Sequence, residues 1–216
     1  MKEKIIMKKE ADIYFPTKNS IPSCRKLAAI VLAAGASTRM GRQKLLLPFG
    51  KSNVLNSTLT NLKKSGMKKI ILVLGADYQE ILTAIDQSYL QILINHNYQK
   101  GQSTSVLLGI SALPADYGAM FVLGDQPLIS PRIYQDLGKL YFHSKNCIVM
   151  PINEKGQRGN PVLFAPSMIE KMKELQGDKG PRKLIEEYQQ DILTYTTAEA
   201  AIFMDIDTPE AYKNCL

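Results

Sequence analysis

The sequence predicts an α/β fold with a doubly wound, mainly parallel but mixed sheet. The first observation is that short apolar runs alternate with segments of helical periodicity over most of the 216 residues. The second is that the first run, residues 27–34, contains no polar residue, which is typical of a strand buried on both faces of a parallel sheet. The third is a small-residue, cationic loop after that run, at the kind of strand end where such folds bind ligands.

The other elements follow from periodicity and from capping residues. Apolar runs predict strands at residues 27–34, 69–74, 90–94, 119–123 and 147–150, with further extended segments at 161–164 and 202–207. Apolar residues at helical spacing predict helices around residues 54–62, 81–85, 106–110, 133–141 and 184–188. Gly66 suits the end of the first helix, Pro161 the start or edge of a strand, and Pro181 the first helical position. Thr208 and Pro209 are expected to cap and begin a last helix.

The chain length suits one domain over residues 26–216, preceded by a flexible N-terminal arm over residues 1–25. Residues 1–26 hold seven basic and three acidic residues, a net charge of +4, which leaves +3 of the total +7 for the rest. A mildly basic body indicates an enzyme that binds small anions, and it argues against a nucleic-acid partner. A polyanion-binding role is the alternative for the arm.

Other function classes are excluded by what the sequence lacks. No apolar run approaches about 18 residues, so we expect no membrane span. The apolar group at residues 5–7 is too short for a signal-peptide core, which predicts a cytoplasmic protein. Cys24, Cys147 and Cys215 are far apart and form no C-x-x-C pair, so neither a zinc site nor a disulfide is supported. Any metal should therefore take oxygen ligands, which points to Mg²⁺.

The loop after the first strand has the composition of a phosphate-binding loop. Small residues let a phosphate chain approach the backbone N–H groups, and they are Ala33, Ala34, Gly35, Ala36, Ser37 and Thr38. Arg39 and Lys44 would neutralise the bound charge. The glycine spacing fits neither the dinucleotide fingerprint nor the P-loop. An ordinary loop with solvated charges is the alternative interpretation.

Two further segments place polar groups at strand or helix ends. Asp125 follows a buried strand after Gly124, and we favour a magnesium ligand there over a turn-forming aspartate. Gly101 opens a hydroxyl-rich segment, including Gln102 and Ser103, at the start of a helix. Such groups can cap the helix or contact a ligand, and the residues alone leave both interpretations open.

The motif Leu32-Ala-Ala-Gly35-x-Ser37-x-Arg39-Met-Gly41-x-x-Lys44 resembles the signature loop of the MobA-like nucleotidyltransferases. Gly124-Asp125-Gln126-Pro127 resembles their second motif. The Ala33-Ala34 form is most similar to molybdenum cofactor cytidylyltransferases, whereas guanylyltransferases of that cofactor typically carry two glycines. The resemblance covers residues 26–214 and implies a Rossmann-like nucleotidyltransferase fold. It also implies transfer of CMP from CTP to the phosphate of molybdenum-bound molybdopterin, with release of pyrophosphate.

The resemblance also suggests roles for single residues. It implies that Gln102 and Ser103 lie near the base and sugar, although Gln102 stands where the family often has Met. It implies that Asp207 is the second magnesium carboxylate beside Asp125; Asp205, two residues earlier, is the competing candidate.

The same resemblance implies that the second substrate lies near Arg158, Asn160 and Arg182. Asn160 stands where the family usually has His. A plain hairpin turn at Arg158 and a solvent-exposed or helix-capping Arg182 are the alternatives. A molybdenum hydroxylase that receives the product is the implied protein partner.

Other functions remain open from the sequence. Guanylyl transfer, or nucleotidyl transfer to a sugar phosphate, would use the same fold. A non-catalytic carrier of molybdopterin or nucleotide is a different class. Lys44, Asp125 and Asp207 together favour an enzyme, because a carrier would not need metal at the α-phosphate.

Overall fold

The first strand is an interior strand of a seven-stranded sheet in the computed structural model, which describes residues 26–174 and 180–216. The strands are β1 (Lys26–Ala33), β4 (Ile70–Leu74), β5 (Leu90–Ile94), β6 (Tyr117–Leu123), β7 (Ile148–Ile152), β8 (Val162–Phe164) and β9 (Ile192–Thr196). A short hairpin consists of β2 (Pro48–Phe49) and β3 (Ser52–Asn53). The strand order is β5-β4-β1-β6-β8-β7-β9.

Only β8 runs against its neighbours β6 and β7, and the other pairs of adjacent strands in this sheet are parallel. This topology confirms the predicted mixed, mainly parallel sheet. Pro161 directly precedes β8, which confirms its predicted place at a strand start, where a missing N–H costs no ladder hydrogen bond.

Helices cover both faces of the sheet, as a doubly wound fold requires. They are α1 (Val54–Lys64), α2 (Tyr78–Thr83), α3 (Gln102–Ser111), α4 (Pro131–His143), α5 (Pro166–Glu174), α6 (Gly180–Glu187) and α7 (Pro209–Asn214). Alternate residues of β1 enter different cores: Val31 packs in the cluster with α1 and α4, and Ile30 in the cluster with α3 and α5. Burial on both faces explains why this strand reads as an unbroken apolar run.

Capping follows the sequence at the two helices for which it was predicted. Gly66 has a φ of +85°, the left-handed conformation that commonly follows a helix end. The Thr208 hydroxyl accepts a hydrogen bond of 3.1 Å from the N–H of Ala211, and Pro209 begins α7. Pro181 lies in the first turn of α6, one residue after its start.

One predicted strand is wrong. Residues 200–203 form a 3₁₀ turn, and residues 204–207 belong to no strand. Ile202 and Ile206 are buried by packing in the cores, so their alternation imitates a strand. The last strand is β9, whose residues lie at the sheet edge and are mostly half-buried, which left no clear apolar run.

None of the helices in the described ranges is long and apolar enough to cross a bilayer. Cys147 and Cys215 are free thiols within the described ranges. Cys24 and the predicted arm over residues 1–25 lie outside the described residues.

Gly118 in β6 gives the first testable prediction. A Cβ atom at this position would lie 2.2 Å from the Tyr141 hydroxyl oxygen and 2.7 Å from the Phe164 carbonyl oxygen. We expect Gly118→Ala to lower the free energy of unfolding by about 1–3 kcal/mol, because the surrounding side chain and strand must shift. Urea unfolding would measure the change. Gly138→Ala in α4 is the matched control, since a Cβ there meets nothing within 4 Å and alanine favours helix by up to about 1 kcal/mol. An unfolding midpoint that is the same in both variants would contradict the prediction.

Candidate active site

The loop after β1 has a fixed backbone and an exposed outer surface. Ser37 adopts a left-handed conformation with a φ of 51°, and the chain then makes a 3₁₀ turn over Thr38–Met40. Gly35, Ala36, Thr38 and Arg39 are exposed, whereas Ala33 and Ala34 are buried. The exposed part is therefore accessible to a phosphate chain, and its conformation is held by the residues on either side.

The methyl groups of Ala33 and Ala34 pack against glycines at the ends of neighbouring strands. A Cβ added to Gly124 would lie 3.1 Å from the Ala33 methyl group, and one added to Gly75 would lie 2.7 Å from that of Ala34. The Ala34 carbonyl oxygen also accepts a 3.2 Å hydrogen bond from Ala76. These contacts bring the carboxyl ends of β1, β4 and β6 close together.

Lys44 is the centre of the charged cluster. Its ammonium group donates to a carboxylate oxygen of Asp125 and, at 2.6 Å, to Oδ1 of Asp207. Its backbone N–H donates to the Ser37 hydroxyl at 3.1 Å, so the loop and the lysine are positioned together. Burial disfavours the ammonium charge, but the two carboxylates outweigh it and raise the pKa of Lys44.

Asp125 is positioned by the backbone around it. The N–H of Gly124 donates to the Leu32 carbonyl oxygen at 3.0 Å, and the Thr58 hydroxyl donates to the Gly124 carbonyl oxygen at 3.1 Å. The Asp125 carbonyl oxygen in turn accepts from the N–H of Ile206 at 3.2 Å. That bond joins the end of β6 to the segment that carries Asp205 and Asp207.

The two aspartates of this segment have different surroundings. Asp207 accepts hydrogen bonds from Lys44 and, at 3.0 Å, from Arg39, and the bond from Lys44 is the main reason that its pKa is lowered. Asp205 accepts from the Gln126 amide at 2.6 Å, and burial followed by the charge of Asp125 raises its pKa. Asp207 therefore faces the cations of the loop, whereas Asp205 is held by a neutral amide.

The cluster can accept a divalent cation as part of a larger site. The described part of the chain contains no group of three or more His, Cys, Asp or Glu side chains placed to hold a metal alone. Asp125 and Asp207 nevertheless converge on one ammonium nitrogen, so their oxygens could converge equally on a cation. Magnesium commonly binds through one or two carboxylates plus substrate phosphates, and this pair fits that pattern.

The segment at the start of α3 is ordered by Asn95, which is buried. The Asn95 amide donates at 2.8 Å to the hydroxyls of both Thr104 and Ser105. Gln102 is exposed at the first position of the helix, and Ser103 is half-buried beside it. The Thr104 hydroxyl donates to the Gly101 carbonyl oxygen, and no side chain caps the helix from Gly101. The hydroxyls of Thr104 and Ser105 are therefore held by Asn95 at the start of α3.

A cavity of about 300 Å³ lies between the turn that follows β4 and the loop that follows β5. Its lining residues are Gly75, Ala76, Asp77, Tyr78, Gln79, Asn95, His96 and Tyr98. Because Ala76 bonds to Ala34, the cavity adjoins the loop after β1. Neither Asp77 nor Asn95 was found by motif spacing, since an isolated polar residue after a strand carries no specific signal.

The residues expected near a second substrate do not belong to the hydrogen-bonded cluster around Lys44 in the described chain. Arg158 and Arg182 are exposed, and Asn160 is half-buried. The N–H of Asn160 donates to the Ile202 carbonyl oxygen at 3.0 Å, which ties its loop to the segment leading to Asp205. Residues 175–179, which precede the helix that carries Arg182, lie outside the described residues. The hydrogen bonds of the described chain do not bring Arg158 or Arg182 into the Lys44 cluster.

The chain is similar to several known proteins. A family model described as the MobA-like NTP transferase domain matches residues 29–192. The molybdenum cofactor cytidylyltransferase of Escherichia coli K12 is 27% identical over 185 residues, which cover 85% of this chain and 92% of the relative. The purine catabolism protein PucB of Bacillus subtilis 168 is 28% identical over 200 residues, which cover 86% and 94%. A crystal structure from Mycobacterium tuberculosis H37Rv, determined as a complex with manganese, superposes with a TM-score of 0.74 at 23% identity, covering 90% and 99%.

Proposed function

The chain belongs to the MobA-like NTP transferase family and is a nucleotidyltransferase, and we propose that it transfers CMP from CTP to the phosphate of molybdenum-bound molybdopterin. The observation that carries this proposal is the convergence of Lys44, Asp125 and Asp207 beside the exposed loop after β1. The similarity to the E. coli cytidylyltransferase supports the choice of substrates. The proposal includes a cytoplasmic location and a molybdenum hydroxylase as recipient of the product.

The proposed reaction is a displacement at the α-phosphorus of CTP. An oxygen of the molybdopterin phosphate forms the new bond to phosphorus, and the bond to the pyrophosphate oxygen breaks. The attacking phosphate is already an anion, so the site needs no strong general base. Catalysis then consists of positioning and of neutralising charge that moves to pyrophosphate.

The residues of the candidate site have separate roles in this scheme. The backbone of residues 34–38 binds the triphosphate, and Arg39 and Lys44 neutralise the leaving pyrophosphate. Asp125 and Asp207 would hold Mg²⁺, which would supply Lewis-acid stabilisation of the phosphate oxygens. We prefer Asp207 to Asp205 as the second ligand, because Asp205 is held by Gln126 and has a raised pKa. Arg158, Asn160 and Arg182 are proposed to contact the acceptor when it is bound.

The nucleotide is proposed to lie with its base in the cavity beside Gly75. The Ala34 carbonyl oxygen bonds to Ala76 in the wall of that cavity, and the Ala34 methyl group packs against Gly75. Asn95 lines the cavity and bonds to Thr104 and Ser105, so Gln102 and Ser103 at the same helix start are proposed to border the sugar or base. Gly124 allows the end of β6 to approach β1 and so places Asp125 beside the phosphates.

Base selectivity tests the proposal directly. We expect CTP to exceed GTP in catalytic efficiency by roughly thirtyfold or more, since a steric mismatch and a lost hydrogen bond are together worth about 2–4 kcal/mol. The two nucleotides are offered at equal concentration with molybdenum-bound molybdopterin, and the product dinucleotides are separated and counted. Equal yields or an excess of the guanine product would refute the cytidylyl assignment. The nucleotidyltransferase assignment would remain.

A further inference from the structure

Gln43 joins the loop after β1 to the turn between β4 and α2. Its Oε1 accepts hydrogen bonds from the Ser37 hydroxyl at 3.0 Å and from the N–H of Leu45 at 3.4 Å. Its Nε2 donates to Oδ2 of Asp77 at 3.0 Å. One half-buried amide thus bonds to both sides of the site and uses its acceptor and its donor for different sides.

The two residues whose side chains bond to Gln43, Ser37 and Asp77, share an unusual backbone conformation. Ser37 and Asp77, with φ values of 51° and 52°, are the two non-glycine residues of the described chain that have positive φ. Such a conformation costs free energy and persists where the surroundings hold it. Neither residue has a side-chain cap bond to the helical turn that follows it. The Gln43 amide is therefore a side-chain contact common to both strained turns.

The same hydrogen bonds connect the two ends of the proposed nucleotide site. The Ser37 hydroxyl accepts a 3.1 Å hydrogen bond from the backbone N–H of Lys44. The bond between Ser37 and Gln43 therefore also helps to position Lys44. Asp77 lines the cavity beside Gly75. A continuous series of contacts therefore runs from that cavity through Asp77, Gln43 and Ser37 to Lys44.

From this geometry we propose that Gln43 is a positioning residue that keeps the phosphate loop in register with the cavity wall at Asp77. The inference rests on the proposed function, because it assumes that a nucleoside triphosphate spans both places. A ligand that spans them depends on their separation, whereas a ligand that contacts only the loop does not. Gln43 touches neither the reacting atoms nor the metal ligands in this scheme.

Two variants, a single and a double substitution, test the link between Gln43 and Asp77. In Gln43→Glu the oxygen that accepts from Ser37 and Leu45 is kept, but the donor to Asp77 is replaced by a second carboxylate. We expect this variant to bind CTP with Mg²⁺ roughly tenfold more weakly than wild type. In Gln43→Glu combined with Asp77→Asn, the new amide can donate to the new carboxylate, and the total charge equals that of wild type. The change at position 43 should then cost about threefold or less relative to Asp77→Asn alone.

Two probes separate positioning from damage to the loop. Affinities for CTP with Mg²⁺ and for inorganic tripolyphosphate are measured by calorimetry, and the thermal midpoint of each variant is recorded. We expect Gln43→Glu to weaken tripolyphosphate by about threefold or less, with little change in the thermal midpoint. Gln135→Glu, exposed on α4, adds the same charge elsewhere and should leave both affinities unchanged.

Three results would decide against the inference. They are an equal loss of affinity for both probes, an equal cost of Gln43→Glu with and without Asp77→Asn, or wild-type affinity in Gln43→Glu. Failure of the proposed nucleotide site looks different, because wild-type protein would then bind none of CTP, GTP, ATP and UTP. If wild type prefers another nucleoside triphosphate to CTP, that nucleotide replaces CTP in the affinity measurements on all variants, and the same criteria apply.

Discussion

Asp125→Asn is expected to lower turnover by about a thousandfold, which corresponds to about 4 kcal/mol of transition-state stabilisation. Asparagine has almost the same size and can still accept the hydrogen bond from Lys44, so the fold should persist. It lacks the negative charge that would hold Mg²⁺ against the triphosphate. Pyrophosphate release with CTP, Mg²⁺ and molybdenum-bound molybdopterin measures the loss, and circular dichroism checks the fold.

Asp116→Asn is the matched control for this experiment. Asp116 is exposed and pairs with Lys26 at the start of β1, at the opposite end of the strand from the loop. We expect its loss to leave turnover within about twofold of wild type, because exposed ion pairs contribute little. Near-normal turnover in Asp125→Asn would remove Asp125 from the catalytic site.

Lys44→Met is expected to lower turnover by roughly a hundredfold to a thousandfold, since it removes the cation proposed to neutralise the leaving pyrophosphate. Only 14% of the Lys44 side chain is exposed, so the methionine retains most of its packing. Without the ammonium group, Asp125 and Asp207 repel each other. Added Mg²⁺ should therefore raise the thermal midpoint of this variant by more than that of wild type.

Arg42→Met provides the comparison, because Arg42 is an exposed cation two residues before Lys44 in the same loop. We expect near-normal turnover and the wild-type response to Mg²⁺ from this variant. If Lys44→Met and Arg42→Met lost the same fraction of activity, general charge in the loop would explain the effect. The specific role of Lys44 would then be refuted.

Much of the site could be predicted because parallel strands place their carboxyl ends together. Lys44 and Asp125 follow different apolar runs, and the topology alone brings those strand ends to one edge of the sheet. Their approach to Asp207 is different, since that residue follows no strand. Its place depends on the bond between Ile206 and the Asp125 carbonyl oxygen, which no local pattern specifies.

Gln43 and Asp77 show what sequence reasoning could not find. They are 34 positions apart, and an amide has neither the charge nor the periodic spacing that marks a functional residue. Their contact arises only after β1 and β4 have paired. The wrongly predicted strand at residues 202–207 shows the reverse, a local pattern that misled. Ile202 and Ile206 alternate as in a strand, but Ile202 packs on Gly159 from a 3₁₀ turn.

The reversed strand β8 has a consequence for how this protein can diversify. Because β8 runs against β7, the connection over residues 153–161 returns to the same edge of the sheet as the loop after β1. A parallel strand would have required a crossover and would have carried that connection to the far side. The loop after β1 and the loop after β7 therefore lie at the same edge of the sheet. Changes in the length or sequence of the second loop could therefore alter the proposed acceptor site while the loop after β1 stays unchanged.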